Sequence, residues 1–382
     1  MDASDLKSQL RSFLEDKGIN FDMDPEEVDA ELQLIMPAGR FNKYLEAAFA
    51  TRNGGPPTGI YRTMSTRAEA NTLISSQAEV YLDTNSAVIE RILQYLEGGS
   101  VVWEMGCMNG LCAEWLASTH SDVHVYGADR VGSVLRDADK RHSLPNLEFL
   151  TWDYKASIPR SDYQKADVIY SVLGIEQPVD GSKHRSTDPQ QWRDSEYFRS
   201  DVERYSVVLE RWGRVCGPAT ILVTAQRLPG HNEKLAFIDA LSGYGWDVDL
   251  GLSTHVYTDE QWIPLLVARR IENRDVPIKT MDIFLTWDSN QGDNHPGHTP
   301  DSCEGSKAVL ALNALGERNI VHSDSLTYGD GHTMHIEIGQ NGKVGYILGI
   351  ATTGFLKFRE IPETEIDQYT LMDVNEIVTF VF

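Results

Sequence analysis

Between Ser100 and Arg270, short apolar runs alternate with helical stretches, and this alternation limits what the chain can fold into more than any other feature. The runs are Val101–Trp103, Val123–Tyr126, Leu147–Leu150, Asp167–Tyr170 and Thr220–Val223, and helical candidates at Gly110–Ser118, Val134–Arg141 and Asp194–Trp212 fall between them. Strand–helix alternation with short connections indicates a mostly parallel sheet. The expected fold is therefore α/β, a doubly wound Rossmann-like sheet. A helix at Glu233–Leu241 precedes Trp246–Leu250 and Trp262–Arg269, which are expected to pair antiparallel at a sheet edge.

The flanks read differently. Leu6, Leu10 and Leu14 recur at helical spacing, followed by helical runs at PEEVDAELQLIM and FNKYLEAAFA, a breaker at Asn53–Pro57, and one long helical stretch from Ala68 to Leu96. Residues 1–99 are expected to form a helical cap or lid, and 100–271 the sheet domain. Residues 275–382 are expected to form a small α+β domain serving as an accessory or oligomerisation module. Its predicted elements are a strand at Met281–Trp287, a helix at Gly305–Leu315, hairpin turns at Asp330-Gly331 and Asn341-Gly342 flanking Thr333–Ile338 and Lys343–Ile350, and strands at Phe355–Ile361 and Ile377–Phe382.

With 34 Lys+Arg against 57 Asp+Glu, the net charge is −23. Such a surface repels phosphate backbones and anionic lipid, so nucleic acid is a disfavoured partner. No stretch approaches the ~18 apolar residues of a membrane span. The four cysteines form no CxxC pair, and the first residues lack the pattern of a signal peptide. A soluble protein of a reducing cytoplasm is expected, with a homodimer allowed for.

The chemistry is concentrated in Val101-Val-Trp-Glu-Met-Gly-Cys-Met-Asn-Gly110, an apolar strand running into a glycine turn and then a helix. Gly106 allows a turn without a Cβ beside a ligand, and Gly110 opens the helix. The next strand ends in Tyr126-Gly-Ala-Asp-Arg130, where the Asp129 carboxylate can accept from both hydroxyls of a ribose. The third ends in Leu150-Thr-Trp-Asp153, offering Trp152 as an apolar face and Asp153 as an acceptor for an adenine amino group. The fourth runs through Ser171 to Gly174 at the same edge. A dinucleotide-binding protein is the competing reading, but the glycine spacing and the long helical prefix fit it badly.

In the order and spacing of these four strand ends, residues 100–270 resemble the class I S-adenosylmethionine (SAM)-dependent methyltransferases. Glu104–Gly110 is similar to that family's E/D-x-G-x-G-x-G loop, except that Met108 stands where the middle glycine would be. The resemblance implies SAM as cofactor, with Glu104 and Gly106 near its methionine end. Asp129 and neighbouring Arg130 would lie at the ribose, Trp152 and Asp153 at the adenine, and Ser171 beside the sulfonium.

In that family the segment after the fourth strand lines the acceptor pocket; here it contains Glu176 and His184, either able to take a proton from a hydroxyl or to orient an amine. The chain has Ser171-Val-Leu-Gly174 where amide-methylating members carry [DN]-P-P-[YFW], which argues against such acceptors. A small molecule methylated on O or N, in biosynthesis of a specialised metabolite, is the expected acceptor. The alternatives are a peptide or protein acceptor, or a non-catalytic protein of this fold that acts through its C-terminal domain. That domain weakly resembles Imm1-type immunity proteins in one hairpin and its layout. It carries His295, His298, Cys303, His322, His332 and His335, but strand spacing separates His332 from His335 and no metal site is expected.

Overall fold

The computed structural model describes residues 3–52, 58–153, 162–175, 196–228, 231–258, 261–271, 280, 283, 302–304, 308, 311–312, 314–315, 318–329, 333–342, 344–351 and 356–381. The chain divides into two compact units. The first is Met1–Val179, Ser206–Arg227 and Gly243–Asp275, and the second is Asp180–Tyr205, Leu228–Ser242 and Val276–Phe382. The helical N-terminal segment thus belongs to the same unit as the large sheet. Among the described residues no helix is long and apolar enough to cross a membrane.

The sheet of the first unit contains β1 (Val101–Met105), β2 (His124–Asp129), β3 (Leu147–Thr151), β4 (Ala166–Val172), β5 (Cys216–Ala225), β6 (Trp246–Val248), β7 (Thr254–Thr258) and β8 (Gln261–Arg270). Their order is β3-β2-β1-β4-β5-β8-β6, with β7 also paired to β8. The first five strands run parallel and β8 runs antiparallel to β5, β6 and β7. This is the α/β doubly wound arrangement expected from the sequence. As expected, Trp262–Arg269 pairs antiparallel with Trp246–Leu250 at the end of the sheet; β6 is outermost and Trp262–Arg269, as β8, lies just inside it. Its residues Ile263 to Ala268 are buried without interruption, which an edge strand exposed on one face would not allow.

One face of the sheet is covered by α1 (Ala3–Asp16), α6 (Ala78–Ile92) and α7 (Leu111–Thr119). Leu6, Leu10, Leu82, Ile89 and Leu116 share one buried cluster with Val102, Val125, Val168, Val223 and Leu265 from the strands. A second cluster joins α2 (Glu27–Ile35), α3 (Ala38–Arg52) and α5 (Arg67–Ser75) to α8 (Gly132–Asp139), through residues such as Leu32, Phe41, Ala70 and Val134. The expected helix from Ala68 to Leu96 is in fact two, α5 and α6, broken at Ser76-Gln77. The Ser75 and Ser76 hydroxyls donate back to the carbonyls of Asn71 and Leu73 at 2.9 Å each, and such competition with the helical ladder favours a break. Thr66 and Glu69 form a reciprocal capping box at the start of α5.

The second unit holds a five-stranded antiparallel sheet of order β10-β11-β12-β13-β9: β9 (Ser302–Glu304), β10 (Asn319–Thr327), β11 (Thr333–Asn341), β12 (Val344–Ala351) and β13 (Leu356–Pro362). β9 and β10 were not expected from the sequence, and of Met281–Trp287 only Ile283 is among the described residues. The Glu337 carboxylate is buried, accepting from the Tyr346 hydroxyl at 2.6 Å and the Arg318 guanidinium at 2.9 Å. A Cβ at Gly339 would lie 2.5 Å from that hydroxyl, so only glycine leaves it room. His335 Nδ1 shares a hydrogen bond with Ser325 Oγ at 2.8 Å.

The strand expected at Ile377–Phe382 is a helix, Val374–Val381. The Asp373 carboxylate accepts from the Glu376 N–H at 2.9 Å, and the Glu376 carboxylate accepts from the Asp373 N–H at 3.0 Å. This reciprocal cap outweighs the β-branched composition, and Val374, Ile377 and Val381 fall on one buried face against Ile336 and Ile338. Asp373→Ala is expected to cost about 1 kcal/mol, read as a lower urea midpoint with unchanged slope.

Candidate functional site

In this strand order the chain leaves β1 toward β2 and β3, then returns to β4 on the other side. The carboxyl ends of β1 and β4 therefore flank the topological switch point, the crevice where open α/β sheets hold ligands. Two glycines line it. Gly106 takes φ +78°, and a Cβ on it would stand 2.9 Å from the Gly174 Cα. A Cβ on Gly174 would stand 2.7 Å from Ser171 Oγ and 2.8 Å from the Met105 carbonyl. The two loops approach each other backbone to backbone because neither residue carries a side chain.

Met108 and Leu173 are the two non-glycine residues with positive φ among the described residues, at 47° and 52°, and both belong to these loops. Left-handed backbone at a side-chain-bearing residue persists only where the surroundings enforce it. Met108 adopts at its own cost a conformation that glycine takes freely.

The loop is held by the acids that flank it. Asp129, at the end of β2, accepts the Met108 N–H at 2.9 Å and the Val131 N–H at 2.8 Å. Burial raises its pKa, opposed by those two N–H groups. Glu104 is buried in β1 and accepts the Ala113 N–H in the first turn of α7 at 2.8 Å. Burial pushes its carboxyl up to about 8, with the Tyr170 hydroxyl and the Ala113 N–H pulling the other way and the Asp129 charge adding to the rise. The Gly106 and Cys107 N–H groups donate to the Ala128 carbonyl, the Gly110 N–H to the Cys107 carbonyl, and the Leu111 N–H to the Asn109 side chain. Burial also raises the thiols of Cys107 and Cys112, keeping both protonated and poor nucleophiles.

Ser171 is fully buried. Its Oγ accepts from Gln226 Nε2 at 3.1 Å, and the same nitrogen donates to the Ser171 carbonyl at 3.1 Å and Thr224 Oγ1 at 2.9 Å. Gln226 Oε1 accepts the Ile175 N–H at 3.0 Å. Gln226 therefore ties the segment after β4 to the end of β5, a role no sequence motif announces. Trp152 is buried with its ring 6.2 Å from that of Trp103, on the sheet face that also carries Tyr126. The Trp152 backbone N–H donates to the Asp129 carbonyl at 2.9 Å. Asp153 and Arg130 are partly exposed at the same edge. Glu176 and His184 lie outside the described residues.

Sequence reading offered Tyr61 and Arg227 only as pocket walls and missed Lys17, Arg67 and Tyr81 of the cap. Tyr81 of α6 brings its hydroxyl to 3.3 Å from Cys112 Sγ and 3.4 Å from Asn109 Oδ1. Tyr61, in α4 (Thr58–Thr63), has its pKa raised by burial, with the Arg227 charge opposing and the Asp129 charge adding. Arg227 Nη2 donates to Gln77 Oε1, at the α5–α6 break, at 2.6 Å. The Arg67 guanidinium pairs with Glu114 of α7 at 2.5 Å, and Lys17 meets the same carboxylate at 3.0 Å.

No family model matches the chain, and no curated protein matches it. Solved structures do. The magnesium protoporphyrin IX methyltransferase of Synechocystis PCC 6803 with bound SAM is 16% identical at a TM-score of 0.34, the match covering 51% of this chain and 83% of that one. Human N-acetylserotonin methyltransferase in complex with SAM is 14% identical at a TM-score of 0.37, covering 61% of this chain and 66% of that one. A mutant 16S rRNA (adenine(1408)-N(1))-methyltransferase of Catenulisporales acidiphilia, with cosubstrate SAM, is 16% identical at a TM-score of 0.34, covering 49% and 93%.

Proposed function

We propose that this chain is a SAM-dependent methyltransferase acting on an O or N nucleophile of a small molecule, in the biosynthesis of a specialised metabolite in the cytoplasm. The observation that carries the reading is how the glycine loop spends its hydrogen bonds. A dinucleotide site needs free N–H groups at the start of the helix to meet a pyrophosphate. Here the Glu104 carboxylate and the Asn109 amide already occupy that helix start, and Asp129 takes the Met108 N–H. An anionic ligand would meet two carboxylates. A ligand carrying a sulfonium and an ammonium group would instead stabilise the ionised forms of both acids, which burial disfavours.

In this reading, Asp129 holds the ribose hydroxyls with lone pairs left over from its two backbone partners. Glu104 and Gly106 are the proposed residues at the methionine end. When bound, SAM supplies an electrophilic methyl group for in-line displacement. The task of the protein is then chiefly alignment, with a base needed only for a protonated nucleophile. Glu176 and His184 are the proposed groups for that role. The −23 charge supports a small acceptor over a polyanionic one.

Calorimetric titration with SAM, S-adenosylhomocysteine and NAD tests the cofactor directly. Micromolar binding of the two sulfur nucleotides alone is expected, and binding of NAD in their place would overturn the reading. Asp129→Ala is expected to weaken S-adenosylhomocysteine binding by about 1–3 kcal/mol, the scale of hydrogen bonds to a charged group. An unchanged affinity would mean that the ribose lies elsewhere.

A further inference from the structure

Asn109 sits in the glycine loop between Met108 and Gly110, both at positive φ, and is completely buried. Its amide faces the cap. Nδ2 donates to Asn71 Oδ1 of α5 at 2.9 Å, while Oδ1 accepts the Leu111 N–H at 3.2 Å and lies 3.4 Å from the Tyr81 hydroxyl of α6. Asn71 is buried as well, and its Nδ2 donates to the Lys17 carbonyl just past α1 at 2.7 Å. A continuous line of buried amides therefore runs from the end of α1 through α5 to the loop. One turn earlier on α5, Arg67 pairs with Glu114 of α7, so the same helix grips both the loop and the helix that follows it.

We infer that Asn71 and Asn109 are positioning residues through which the helical cap sets the conformation of the Gly106–Gly110 loop, and with it the affinity for the adenosyl nucleotide. The inference rests on the proposed SAM site but adds a property that site does not require. Neither amide is a ligand contact. Asn109 anchors the peptide that keeps Met108 left-handed, and the Met108 N–H is the group that Asp129 holds. A loop fixed from the cap side presents Asp129 and Gly106 in one arrangement. A loop released from it relaxes toward ordinary backbone at Met108 and withdraws that arrangement. Because such coupling is reciprocal, nucleotide binding must in turn stabilise α5.

The test compares two substitutions on α5 in the full chain. Asn71→Ala removes the link to the loop. Ser75→Ala, one turn on, removes buried hydrogen bonds to the Asn20 N–H and the Asn71 carbonyl but touches nothing in the loop. S-adenosylhomocysteine is titrated into each by calorimetry, and amide hydrogen exchange of residues 67–75 is read with and without it. Asn71→Ala is expected to raise Kd about tenfold, the scale of one buried hydrogen bond, and Ser75→Ala less than about twofold. Exchange in α5 is expected to slow on nucleotide addition in the unsubstituted chain, a readout that needs no variant to fold. If the unsubstituted chain binds but α5 exchange does not respond, or both variants lose affinity equally, the positioning role is overturned while the cofactor reading stands. No binding to the unsubstituted chain overturns both.

Discussion

Replacing Gly110 with alanine is expected to be the most damaging single methyl addition in the first unit. The residue has φ +68°, and its new Cβ would stand 2.3 Å from Phe149 Cε1 and 2.5 Å from Phe149 Cζ. Two costs add. Left-handed backbone at alanine costs about 1–2 kcal/mol, and forcing an aromatic ring out of a packed position costs about 1–3 kcal/mol more. Urea unfolding of Gly110→Ala should therefore show a loss of about 2–5 kcal/mol at unchanged slope. The two parts are separable: Phe149→Leu added to Gly110→Ala should recover the steric share and leave the backbone share. A double variant no more stable than the single one would show that the ring is not what the methyl meets. The same substitution moves the start of α7, so nucleotide affinity should fall with stability.

The second large effect is expected at the buried ion pair between the cap and α7. The side chains of Arg67 and Glu114 are 5% and 6% exposed, and their closest approach is 2.5 Å. Arg67→Met leaves the Glu114 carboxylate in the interior with Lys17 as its remaining cation, 3.0 Å away and 31% exposed. Removing one partner of a buried pair typically costs about 3–5 kcal/mol. The low end is expected here because Lys17 remains and the Arg67 N–H keeps its bond to Asp137 at 2.9 Å. Removing both charges, as in Arg67→Met with Glu114→Leu, should restore most of the loss, since no uncompensated charge is then buried. A double variant as unstable as Arg67→Met alone would mean that the pair acts through shape and not through charge.

The parallel sheet and the glycines and acids at its strand ends are legible in the chain's own pattern because both rest on local requirements. A strand buried on both faces is mostly apolar, as in Val101–Met105, where Glu104 is the one charged residue. A turn with positive φ favours glycine, as at Gly106 and Gly110, and an acid at the end of β2 is adjacent in sequence to the strand that carries it. Where two local signals compete, the pattern is weaker. At 374–381 β-branched composition pointed to a strand, while the Asp373/Glu376 cap and one apolar face made a helix.

What the pattern did not contain is long-range pairing. Asn71 meets Asn109 across 38 residues, Gln226 holds Ile175 across 51, and Gly106 lies against Gly174. None of these residues has a spacing that marks its partner, because a buried amide or a missing Cβ acquires its role only from what the fold brings beside it. The sequence determined which strands line the crevice and which acids stand at their ends. The tertiary structure alone decided that the cap's helices hold the glycine loop and the helix after it, since burial and hydrogen-bond partnership are properties of neighbours in space.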